Sequence, residues 1–174
     1  MPHMQDPYFG RSVIFICEHN EDGALGFIVN KLFETLELQE LFADFFPQKN
    51  DILKLVPQVY FGGPVLVERG IVLHSADYET ESTIKVGDDF SLTSNKTVVQ
   101  NIAEKKGPRH YKLMLGHAGW AQHQLEAEIE NGDWLLQHTN LDYIFNTDEQ
   151  FMWDIATKSF GIDLGEFSGL GGSA

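Results

Sequence analysis

A chain of 174 residues, 43% apolar and 22% charged, has the size and composition of one globular domain able to bury a full core. Twelve Lys and Arg against 26 Asp and Glu leave a formal charge of −14, which opposes nucleic-acid phosphate and anionic lipid and disfavours direct DNA binding. The single cysteine, Cys17, excludes an internal disulfide and a cysteine-based zinc site. With no secretory leader visible and no apolar run near the roughly 20 residues of a membrane helix, the expected location is the cytoplasm.

Met1 to Arg11 is polar, carries Pro2 and Pro7, and reads as an extended lead-in. The apolar runs Val13 to Cys17 and Phe27 to Val29, split by Asp22-Gly23, predict a hairpin over Ser12 to Lys31. Its strand ends carry Glu18, His19 and Asn20 on one side and Asn30-Lys31 on the other. Thr35 caps an expected helix with the stripe Leu38, Leu41, Phe42 and Phe45, stopped near Pro47, and a polar loop follows over 48–56. Val59 to Phe61 predicts a strand broken by Gly62-Gly63-Pro64. Val65 to Val67 and Gly70 to His74 read as a hairpin-like pair around Glu68-Arg69-Gly70, and short edge strands are expected at Thr83 to Val86 and Phe90 to Thr93.

Ser94 is placed to cap a helix over Asn95 to Lys106, facing Val98, Val99, Ile102 and Ala103 inward, with Gly107 beyond its end. Tyr111 to Leu115 predicts a strand, and Gly116-His117-Ala118-Gly119 a turn into a helix from Trp120 to Asn131 with Ala121, Leu125 and Ile129 inward. Trp134 to Gln137 reads as a strand and Leu141 to Phe145 as a turn or short strand. Thr147 with Gln150 has the capping-box pattern for a last helix reaching Phe160 and burying Phe151, Met152, Ile155 and Ala156. The Gly- and Ser-rich residues 163–174 read as a flexible tail behind a single domain over 1–162. Strands and helices mix without βαβ alternation, so the fold class is α+β.

The common signatures of metalloproteases, nucleophile-elbow hydrolases, P-loops and dinucleotide-binding folds are absent. Glu18-His19 has the residue types of an acid/base pair, but strand neighbours point to opposite faces, which favours a polar strand end. Asn30-Lys31 suits an anionic ligand or a turn with a solvated lysine. Gly62-Gly63-Pro64 reads as structural, and His74 as a satisfied core histidine more readily than a ligand. His123 and Glu126 have a metal-ligand spacing, i and i+3, yet with His117 they do not complete a site, and no metal or cofactor is expected. Cys17, inside an apolar strand, reads as inert. Gln124 and Glu128 share a helix face behind Trp120.

Together these segments resemble the YqgE/AlgH family of bacterial proteins. The resemblance rests on Met1-Pro2 with Asp6-Pro7, Val13 to His19, Gly23-Ala24-x-Gly26 through Asn30-Lys31, Gly62-Gly63-Pro64, and Arg69-Gly70 to His74. It continues through Leu115-Gly116-x-Ala118-Gly119-Trp120 to Gln124-Leu125-Glu126-x-Glu128, so that it spans Met1 to about Ile162. It implies a bifurcated, mostly antiparallel sheet curled into a pseudo-barrel with about four flanking helices, in a cytosolic protein without established enzymatic activity. Some members of the family are described as regulators of transcription. The family usually has a strand before the Met-Pro segment, where this sequence begins at Met1-Pro2, the strand being either trimmed or absent; the chain also departs in His117 for the usual Tyr, in His123 for the usual Gly, and in its Gly-Gly-Ser-Ala end.

The expected function is a non-enzymatic ligand- or protein-binding regulatory module. Its site is expected to draw on Glu18, His19, Asn30, Lys31, Arg69 and His74, with Trp120 and Gln124 at the rim. The alternatives are an indirect transcriptional regulator, and a hydrolase or transferase with His19 or His74 as base.

Overall fold

The computed structural model describes residues 6–33 and 58–161. It is a single α+β domain whose sheet is nearly closed into a barrel. The strands are β1 (Ile14–Asn20), β2 (Gly23–Ile28), β3 (Val59–Phe61), β4 (Val65–Ser75), β5 (Thr83–Val86), β6 (Phe90–Thr93) and β7 (Tyr111–Ala121). The helices among the described residues are α1 (Lys96–Ala103), α2 (Gln124–Glu130), α3 (Leu141–Asn146) and α4 (Glu149–Ser159).

The β1–β2 hairpin forms where its two apolar runs predict and closes through Glu21-Asp22, with Asn20 opposite Gly23 and a bulge between Ile16 and Glu18. Strand order is β1-β2-β7-β4-β6-β5. The fork lies at β7. Its later half pairs antiparallel with β2, as in Ala24 opposite Trp120, while its earlier half pairs with β4 on one side and parallel with β3 on the other. Gly62 joins the branches by donating to the Leu115 carbonyl and accepting from the Ile28 amide, each at 2.8 Å.

The main core gathers Phe15, Phe27, Leu73, Phe90, Met114, Ile144 and Met152 inside the sheet. On the other face α1 buries Val98, Val99 and Ile102 against Val72, Leu113 and Leu115, each worth about 1.5–3 kcal/mol by the area it removes from water. A third cluster packs Trp120 and Leu125 on Ala24 and Ala118.

Several elements differ from the sequence expectation. Residues 65–75 form one strand, because Glu68-Arg69-Gly70 is absorbed as a bulge and makes no turn. β7 runs through Gly116 to Ala121: Gly116 takes φ +71° and kinks the strand without ending it, and Trp120 is therefore a strand residue. Helix α2 begins after His123, at φ +61°. No strand forms at Trp134 to Gln137, and Leu141 to Phe145 is helical because the Asn140 side chain accepts from the Tyr143 amide at 2.9 Å. Asn95, one residue after Ser94, caps α1, and Asp148, one after Thr147, caps α4. The buried face of α4 is rotated accordingly: Met152, Trp153 and Thr157 are inside, while Phe151 and Ile155 are 53% and 47% exposed. Ala103 is exposed. The expected helix from Thr35, the loop over 48–56, the first lead-in residues and the tail lie outside the described residues.

Candidate functional site

A cavity of about 580 Å³ lies beside the β4 bulge. Val65 pairs with His117 and Gly70 with Leu115, so five steps along β4 oppose two along β7. That excess pushes Leu66, Glu68 and Arg69 out of register, and Leu66 takes φ +53°, an unusual conformation for a γ-branched residue. Facing them, Gly116 allows the Gly63 backbone to come close: a Cβ on Gly116 would lie 2.2 Å from the Gly63 carbonyl oxygen. The Gly62-Gly63-Pro64 motif is thus structural, buttressing the cavity from behind.

The cavity walls are mainly apolar, from Leu25, Phe27, Ile71, Val86, Leu92 and Leu115. Polar groups come from Glu18, Glu68, Arg69, His117 and Lys96, with Thr93, Ser94 and Asn95. Neither Arg69 nor Lys96 forms an ion pair with any described residue. Burial, reinforced by the positive charge of Arg69, holds His117 below the usual histidine range, so that it is neutral at pH 7. Cys17 also lines the cavity, and burial pushes its thiol up to about 12, far from the thiolate a nucleophile requires.

Of the residues expected at the site, only Glu18 and Arg69 line this cavity. His19 points away from Glu18, as strand alternation requires, and meets Glu126 of α2 at 2.6 Å on the surface. Asn30 accepts from the Val13 amide at 2.8 Å and donates to the Arg11 carbonyl at 3.0 Å, while Lys31 donates to the Tyr8 carbonyl at 2.7 Å. Both therefore tie the lead-in to the hairpin. His74 is fully buried and engages the Ser75 carbonyl and Thr93 Oγ1 with its two ring nitrogens, which leaves none to act as a base. Trp120 donates to Glu128 at 2.8 Å, as does Gln124 at 2.9 Å and Trp134 at 2.7 Å; this acidic clamp fixes α2 and the following loop. Among the described residues no three of His, Cys, Asp and Glu converge as metal ligands.

Sequence reading passed over Lys112, Tyr60 and Glu149. Lys112, 3% exposed, donates to the Val29 carbonyl at 2.9 Å and to Glu149 at 3.0 Å, with its ammonium 4.1 Å from the centre of the Tyr60 ring. Tyr60 donates to the same carboxylate. Burial pulls the lysine down against the partly offsetting carboxylate; burial also pushes Glu149 up, but the Tyr60 and Lys112 hydrogen bonds outweigh it and leave its carboxyl low. A lysine inside the apolar run Tyr111 to Leu115 was the available signal: a cation there needs a buried partner. Two oxygens and an aromatic face hold the buried ammonium, so the group reads as a staple between α4 and the barrel.

The profile of the family described as AlgH-like matches residues 1–165. A UPF0301 protein of Shewanella loihica is 38% identical over 100% of this chain and 94% of its own length. The UPF0301 protein YqgE of Salmonella paratyphi B is 36% identical over 100% of this chain and 95% of its own. The solution structure of the AlgH protein from Pseudomonas aeruginosa is similar at a TM-score of 0.75 and 32% identity, covering 100% of this chain and 92% of that one. A crystal structure of protein DIP2367 from Corynebacterium diphtheriae shares the fold at a TM-score of 0.65 and 21% identity, covering 91% and 82%. The barrel-like α+β fold, the full-length identities and the matched motifs agree: this chain belongs to the AlgH-like family, bacterial proteins of no established molecular function.

Proposed function

We propose that the protein is a non-enzymatic binding module that takes a small apolar ligand into the cavity beside the β4 bulge and acts in the cytoplasm through that ligand or a partner. The cavity carries this reading. Its volume falls within the roughly 300–1,000 Å³ of small-molecule sites, its walls are apolar, and a few polar groups stand among them. A bulge and a left-handed Leu66 at the rim are the kind of backbone strain that concentrates at ligand sites. Glu18 and Arg69 belong to the proposed site, whereas Asn30, Lys31, His74, Trp120 and Gln124 support the scaffold. The neutral Cys17 thiol and the fully engaged His74 favour binding over catalysis. His19 with Glu126 forms a pair outside the cavity lining. For the cytoplasm, a lone unpaired cysteine is the supporting feature.

Gly70 provides the test. A Cβ there comes nearest the Leu115 and Leu113 side chains, at 3.5 and 3.8 Å, both of which line the cavity, and the Met114 carbonyl oxygen at 4.0 Å, all ordinary contacts. Gly70→Phe therefore fills the space without a backbone clash. The wild-type protein should bind the neutral dye Nile red with enhanced fluorescence, and Gly70→Phe should not, with circular dichroism and melting temperature preserved. Equal dye binding by the two proteins would refute the assignment.

A further inference from the structure

We infer that the ligand of this cavity is a single-chain amphiphile with a carboxylate head, held through Arg69; the inference rests on the cavity being the binding site. The apolar walls from Leu25 to Leu115 suit an alkyl chain, and the charged groups are two carboxylates and two cations, beside a neutral histidine and the uncharged polar residues Thr93, Ser94 and Asn95. On a chain with only 12 Lys and Arg against 26 Asp and Glu, the cavity holds two cations, Arg69 and Lys96, that no described carboxylate neutralises. An unpaired guanidinium beside an apolar chamber is matched by a planar carboxylate, which it grips through two parallel hydrogen bonds. His117, paired across the strands with Val65 and within reach of the Arg69 charge, adds a neutral hydrogen-bonding group at the same end.

Glu18 and Glu68 set the charge of the head. They line the cavity together with Arg69, so a dianion gains less there than a monoanion, and the overall charge of −14 repels it further. A bare anion has no tail to bury against the apolar wall, and a cationic amphiphile would place its head against Arg69. A monocarboxylate with an alkyl chain meets Arg69 and the apolar wall together and carries the least negative charge toward Glu18 and Glu68.

The experiment is titration calorimetry of the full chain with decanoate, 1-decanol, decyltrimethylammonium and decyl phosphate, repeated with Arg69→Ala and Gly70→Phe. Arg69 is exposed, so its replacement leaves the core intact. Decanoate should bind most tightly, and Arg69→Ala should weaken it about tenfold or more, as expected for a lost charge-assisted hydrogen bond, while leaving 1-decanol within about twofold. Gly70→Phe should abolish every interaction. If 1-decanol or decyltrimethylammonium binds as well as decanoate and Arg69→Ala changes nothing, the carboxylate assignment fails while the cavity stands. If decyl phosphate binds more tightly than decanoate, the monoanion assignment fails. If none of the four binds, or Gly70→Phe binds like wild type, the cavity reading fails with it.

Discussion

Replacing Glu149 by Gln removes the charge opposite a buried lysine. Lys112 Nζ lies 3.0 Å from Glu149 and its side chain is 3% exposed. At an effective dielectric constant near 20 the gross attraction across that distance is about 5 kcal/mol. The amide still accepts one hydrogen bond, and the ammonium keeps the Val29 carbonyl and the Tyr60 ring, so only part of that energy is lost. Breaking a buried pair by removing one partner typically costs about 3–5 kcal/mol. The Glu149 side chain is 22% exposed, which argues for the lower end, about 3 kcal/mol. In urea denaturation the variant should lose that amount, and its melting temperature should fall by roughly 6–12 °C for a chain of this size. The double variant K112M/E149Q leaves no orphaned ammonium and should return to within about 1 kcal/mol of wild type. Acid gives the same pair a second signature. The folded Glu149 carboxyl lies below its unfolded value of 4.5, so its contribution is present above that value and disappears as pH falls through the folded one. A loss below 1 kcal/mol for Glu149→Gln, or a double variant worse than the single, would refute the staple.

Gly63→Ala places a Cβ 2.2 Å from the His117 carbonyl carbon at φ +150°, and should cost about 2 kcal/mol or more in urea denaturation. Gly70→Ala, where the added Cβ finds its nearest neighbours at ordinary contact distance, should stay within about 1 kcal/mol. Asn30→Ala leaves the Val13 amide and the Arg11 carbonyl without their partner and should cost about 1–3 kcal/mol, with faster proteolysis of the lead-in as the accompanying readout. Burial holds folded His74 below 6.5, against the smaller opposing effects of the Ser75 carbonyl and Asp77. The unfolded chain therefore takes up the proton first, and stability falls as pH drops through 6.5 toward the folded value. In His74→Gln, stability measured from pH 7 to 5.5 should have a shallower slope.

The parts of the fold set by short-range pattern were legible in the sequence. Short apolar runs bounded by turn residues located β1, β3 and the later part of β2, short edge strands were expected where β5 and β6 form, and Gly62-Gly63-Pro64 was rightly taken as architectural. Errors came where a local signal had a long-range answer. Glu68-Arg69-Gly70 and Gly116 to Gly119 both look like turns, but each sits opposite the other across β4 and β7, and pairing converts one into a bulge and the other into a kinked continuation. The cavity exists because of that conversion, so it could not be read before the two strands were paired. The expected site was assembled from polar residues at strand ends, and the fold distributes most of them to structural tasks: His74 to the core, Asn30 and Lys31 to the lead-in, Trp120 and Gln124 to Glu128. Arg69 and Glu18 both line the cavity beside the bulge. Lys112 was missed because a buried cation is visible in sequence only when its distant carboxylate is known.

A methyl-resolved NMR titration of the full chain with decanoate tests the central claim most directly, since it reports where the ligand sits. The methyl signals of Leu25, Ile71, Val99 and Leu115, which line the cavity, should shift together and saturably, while those of Ile14, Leu125 and Leu136, which line the smaller cavity near Trp120, stay in place. Saturable shifts confined to the second group, or no shifts at any of these methyls, would contradict the account.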